Sequence, residues 1–87
     1  MSKNAVTVTT DFTTYETILL DVLSDGDRHR TGEIGERLDP ELPPDNDSIR
    51  KVVASARKKL EVRNETILCE YRLRKFYYRH VKLLSPG

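Results

Sequence analysis

At 87 residues, 33% charged and 37% hydrophobic, the chain has room for one small globular domain with a modest core. The single cysteine, Cys69, excludes an internal disulfide and suits a reducing compartment. No apolar run approaches a membrane span, and the start MSKNAVTVTTDF lacks the apolar core of a signal peptide, so a cytoplasmic protein with no membrane partner is expected.

The net charge of +1 conceals a division. Residues 1–49 carry 4 Lys/Arg against 11 Asp/Glu, a balance of −7, whereas residues 50–87 carry 11 against 3, a balance of +8. A basic second half suggests a polyanionic partner. The plainer alternative is neutralisation of one half by the other, within one fold or between the two copies of a homodimer.

In chain order, residues 1–11 are polar, and VTVT at 6–9 alternates as a short edge strand would, although a flexible start fits as well. Thr13 and Glu16 have the spacing of a capping box, and Tyr15, Ile18, Leu19, Val22 and Leu23 follow the helical period, so a helix is expected over about 13–24. Gly26 suits the left-handed cap that ends it. Arg28-His29-Arg30 reads as a small exposed strand. Thr31 is then placed to cap a short helix over 32–38, with Ile34 and Leu38 inward and Gly35 permitting close helix packing. Residues 39–46, DPELPPDN, read as a loop in which only Leu42 is expected to bury.

A third helix is expected over about 48–61, capped by Asn46 or Asp47. On it Ile49, Val52, Val53, Ala56 and Leu60 share an arc roughly 100° wide. The opposite face carries Lys51, Ala54, Ser55 and Lys58, with Arg50 and Arg57 on one shoulder and Lys59 on the other. No carboxylate lies between Ser48 and Leu60. The segments 65–72 and 76–83 alternate as strands, with Leu73-Arg74-Lys75 as the turn, giving a C-terminal β-hairpin over about 65–84 and a tail at 85–87. The core expected from these periods is Ile18, Leu19, Val22, Ile34, Val52, Val53, Ala56 and Leu60, with Ile67, Cys69, Val81 and Leu83 beneath the sheet.

The fold class is thus α+β, three helices followed by a hairpin. That order resembles the winged helix-turn-helix superfamily over about residues 12–84. IRKVVASARKKLE followed by TILCEYRLRKFYYRHVKL is similar to the recognition helix and wing of bacterial response-regulator effector domains, although the Gly-rich wing tip of those domains is not present. The resemblance implies a DNA-binding transcriptional regulator.

The residues themselves support that expectation. His29, His80 and Cys69 are the only soft ligands or nucleophile partners, and their scattered spacing matches neither a zinc pattern nor a catalytic constellation, so neither a cofactor nor an enzyme is expected. His29 reads as a solvated strand residue and Cys69 as a buried small hydrophobe. A major groove about 12 Å wide admits one helix, provided small side chains lie where it approaches the bases. Arg50, Lys51, Ala54, Ser55, Arg57 and Lys58 form such a face. Arg72, Arg74 and Lys75 at the hairpin tip, and Arg28 and Arg30 on the short strand, are the expected backbone contacts. Tyr71, Phe76, Tyr77 and Tyr78 are expected chiefly to cover the core as cross-strand pairs, with stacking on single-stranded bases as the alternative. A protein-binding module that modulates a transcription or replication enzyme is the other functional class open to such a sequence.

Overall fold

A computed structural model of the protein describes residues 11–83. The expected strand at 6–9 and the tail at 85–87 lie outside them. Helix α1, Thr14–Val22, continues through a 3-10 turn, Leu23–Asp25, to Gly26 at φ 80°. Its capping box forms as expected: the Glu16 amide donates to Thr13 Oγ1 at 3.2 Å and the Thr13 amide donates to Glu16 Oε1 at 2.8 Å. Strand β1, His29–Arg30, leads directly into α2, Thr31–Leu38. After a loop come α3, Asn46–Leu60, a second 3-10 turn, Glu61–Arg63, and the strands β2, Glu65–Arg72, and β3, Lys75–Lys82. The sheet is antiparallel in the order β1-β3-β2, which leaves β2 at an edge.

Two helix starts differ from expectation. Thr31 lies inside α2 rather than capping it, and its hydroxyl donates to the Phe76 carbonyl at 3.3 Å, tying the helix to β3. At α3 the cap is Asp45, not Asn46 or Asp47: its extended backbone (φ −75°, ψ 172°) lets the carboxylate accept from the Ser48 amide at 2.8 Å. Asn46 and Asp47 are already within the helix. Leu42, expected inside, is 77% exposed. Asp39 accepts the amides of Glu41 and Leu42, which fixes a turn that leaves the leucine side chain outward.

The core is Leu19, Val22 and Leu23 from the first helical segment, Ile34 and Leu38 from α2, Ile49, Val53, Ala56 and Leu60 from α3, and Ile67 and Tyr78 from the sheet. Ile18 and Val52 are half-buried at its margin. Gly35 permits close approach of α2 to α3, because a Cβ there would stand 3.2 Å from Ile49 Cδ1.

The largest departure is in β3. The turn has two residues, Leu73 and Arg74, not three, and the register pairs Ile67 with His80 and Cys69 with Tyr78. A three-residue turn would have set Ile67 opposite Val81. Shortening it by one turns every β3 side chain to the other face. Tyr78 is therefore buried, Val81 half-buried on the outer face and Leu83 45% exposed. Cys69 shares the inner face but lies beyond the core's edge and is exposed. Leu73 and Arg74 both adopt positive φ, 52° and 64°. That tight-turn geometry normally falls to Asn-Gly, and costs roughly 1–2 kcal/mol per non-glycine residue.

Candidate nucleic-acid interface

Because Ile49, Val53, Ala56 and Leu60 fix the rotation of α3 against the core, its other side is fixed as well. Arg50, Lys51, Ala54 and Lys58 are exposed, as their spacing implied. A groove of about 460 Å³ separates this side from the hairpin. Arg50, Lys51, Ala54 and Arg57 form its helical wall, Cys69 its strand wall, and the buried Val53 and Tyr78 its floor. Burial and the neighbouring Cys69 thiol push the Tyr78 phenol up, so the floor of the groove is uncharged near neutrality. Asp47 at one end is an acidic element in this basic cleft, and Arg50 lies 3.7 Å from it.

Two residues expected on the open face are engaged within the fold. Ser55 turns toward α1 and donates to Glu16 Oε2. Arg57 is half-buried, and its Nε donates to the Ile67 carbonyl at 3.0 Å, occupying an acceptor on the free edge of β2. Arg57 also lines the groove. Of the two arginines flanking His29, Arg28, which precedes β1, donates from Nε to Glu70 Oε1 at 2.6 Å across the sheet. That hydrogen bond holds the Glu70 carboxyl below its ordinary range. Arg30 is exposed and borders a second groove, about 690 Å³, between the start of α2 and the hairpin tip, where Arg74, Tyr71 and Phe76 form the facing wall.

The tip itself carries Arg72, Leu73, Arg74 and Lys75, all exposed. Tyr71 and Phe76, opposite each other, pair at 4.9 Å between ring centroids. They are 62% and 49% exposed, so only Tyr78 of the hairpin aromatics covers the core in full. Among the described residues, Lys51, Lys58, Arg72, Arg74 and Lys75 take part in no ion pair. The neutralisation of one half by the other is thus partial. It engages Lys59, bound to Glu16 at 2.6 Å, and Arg50, 3.7 Å from Asp47, but leaves Lys51, Lys58 and the tip cationic.

His29 is not a freely solvated residue. Its Nδ1 lies 2.6 Å from Glu33 Oε2 and its Nε2 2.9 Å from Asp25 Oδ1, so it joins the end of the α1 segment to α2. Burial disfavours its charged form, but the two carboxylates outweigh that and raise its pKa above 6.5. Glu16, the anchor of α3, is the residue that sequence reasoning missed. Its capping role was legible at i, i+3, whereas Ser55 and Lys59 meet it from about forty residues away.

Among the described residues, no helix is long and apolar enough to cross a membrane. Comparisons with protein-family models, with curated proteins and with solved structures give no match to this chain.

Proposed function

We propose that the chain is a winged helix-turn-helix module that binds double-stranded DNA sequence-specifically as a small transcriptional regulator. The order of elements and the β1-β3-β2 sheet are compatible with that fold, with α3 as recognition helix and the 72–75 turn as wing. The observation that carries the reading is the set of unpaired cations on two separate elements, Lys51 and Lys58 on α3 and Arg72, Arg74 and Lys75 on the tip. Lysine and arginine that neutralise phosphates release condensed counterions, and two such elements reach one duplex at separate places. In this reading α3 enters the major groove. Ala54 allows close approach, Arg50 and the free end of Arg57 face base edges, and Lys51 and Lys58 meet phosphate.

Fluorescence anisotropy with duplex and single-stranded oligonucleotides over a salt series tests the proposal. Tighter binding to duplex, weakening steeply with salt, is expected. Equal or tighter binding to single strands, lost in Tyr77→Ala, would transfer the function to base stacking. No binding to either at low salt would put a protein partner in place of DNA.

A further inference from the structure

The hairpin tip combines three features. Leu73 is 88% exposed, the most exposed large apolar side chain among the described residues. It occupies, with Arg74, a turn in which both residues take positive φ, where Asn-Gly would form the same turn without strain. Strained residues of this kind cluster at functional sites. From Tyr71 to Arg79 the chain has no carboxylate, and Arg72, Arg74 and Lys75 surround the leucine. An apolar point within a cationic collar, held out on a hairpin, matches the chemistry of a base step between two lines of phosphates.

We propose that Leu73 is a wedge that enters a minor-groove base step, unstacks it and bends the duplex, while Arg72, Arg74 and Lys75 seat the tip on the flanking phosphates. The proposal rests on the duplex-binding reading above and adds a deformation of the DNA to it. Apolar side chains inserted this way kink DNA by about 20–90° toward the major groove. The reach is sufficient: strands of eight residues extend roughly 26 Å, more than the half-turn of about 17 Å between a major groove and the next minor groove. Tyr71 and Phe76, paired behind the tip, stiffen its base. They also present ring surface to the sugars that line the groove.

The test uses the full chain and a set of short duplexes, each with one central TA or CA step, the steps most easily kinked. End-attached dyes report bending by energy transfer, and 2-aminopurine at the central step reports unstacking. The wild-type protein is expected to shorten the end-to-end distance and to raise 2-aminopurine emission. Leu73→Gly, which keeps the turn and relieves its strain, should lose both signals while retaining the salt slope of binding. Leu73→Met should keep both. Circular dichroism and a urea midpoint no lower than wild type establish that Leu73→Gly is folded. Salt-dependent binding of duplexes that stay straight and stacked would overturn the wedge and leave the duplex reading standing. Bending that survives Leu73→Gly would overturn it as well, and absence of duplex binding would remove both readings. Sedimentation with vesicles of mixed zwitterionic and anionic phospholipid, dependent on Leu73 and without any change in DNA, would reassign the tip to a lipid surface.

Discussion

Lys59 Nζ lies 2.6 Å from Oε1 of Glu16, a residue only 2% exposed, and the contact locks the start of α1 to the last turn of α3. Burial alone would raise the Glu16 pKa. The bonds from Lys59, Ser55 and the Thr13 amide outweigh it and hold the carboxyl below 4.5. Removing one partner strands the other, so Glu16→Ala should destabilise the fold by about 3 kcal/mol, read as a fall in the denaturation midpoint. A depressed folded pKa means stability that is complete above the unfolded value and lost as pH falls through the folded one. The wild type should therefore lose stability progressively below about pH 4.5, and the variant should lack that part of the acid transition. Equal acid midpoints would show that Glu16 is not ionised in the fold.

His29 gives a dependence of the opposite sign. Its folded pKa is raised above 6.5, so the contribution is present below that value and disappears as pH rises through the folded one. Wild-type protein should be more stable near pH 6 than near pH 9, and His29→Gln should flatten the curve over that range. The difference between the two curves isolates His29 from other titrating groups.

Tyr78 and Leu83 test the register of the hairpin. Tyr78 is 3% exposed and Leu83 45% exposed, the reverse of what hydropathy alone suggests. Tyr78→Ala should cost about 3–5 kcal/mol and Leu83→Ala within about 0.5 kcal/mol of zero, by urea denaturation. Comparable losses would mean that β3 is paired one residue out of register.

What was legible in the sequence and what was not divides along sequence distance. The α1 capping box and the period of α3 are written in residues three or four apart, and both formed where expected. The faces of β3 depend on the length of one turn. Leu73-Arg74 carries none of the Gly, Asn or Asp that would announce positive φ, so a two-residue turn could not be told from a three-residue one. The site divides in the same way. Exposure of Lys51 and Lys58 followed from helical phase, whereas the engagement of Ser55 by Glu16, and of Arg57 by the Ile67 carbonyl, depends on tertiary partners.

The same turn makes a stability prediction. Replacing Leu73-Arg74 by Asn-Gly supplies the residues that positive φ favours, and should raise the denaturation midpoint by an amount equivalent to about 1–2 kcal/mol. On the duplex-binding proposal a cost is expected in binding, because the doubly substituted protein would lose the Arg74 charge and the apolar point. A more stable hairpin with unchanged affinity for duplex would show that the strained pair has no part in recognition.

The free cations put numbers on the DNA reading. If the bound state neutralises about five phosphates, log K should fall with log salt at a slope of roughly −4 to −5. Lys58→Ala and Arg74→Ala should each reduce the slope by about one and weaken all sequences alike if each meets phosphate. Arg50 and Arg57, although neighbours on the groove, should differ. Arg50 has its side chain 71% exposed and only a 3.7 Å contact with Asp47, so its guanidinium is free to pair with a guanine edge. Arg50→Ala should lose about 1–3 kcal/mol on the preferred site and little elsewhere. Arg57 spends Nε on the Ile67 carbonyl, so Arg57→Ala should also loosen the edge of β2 and lower the denaturation midpoint. Anisotropy titrations on preferred and scrambled duplexes, run beside urea melts of each variant, separate the two effects. Equal losses on both duplexes for Arg50→Ala would remove it from base recognition and leave α3 as a phosphate-binding surface.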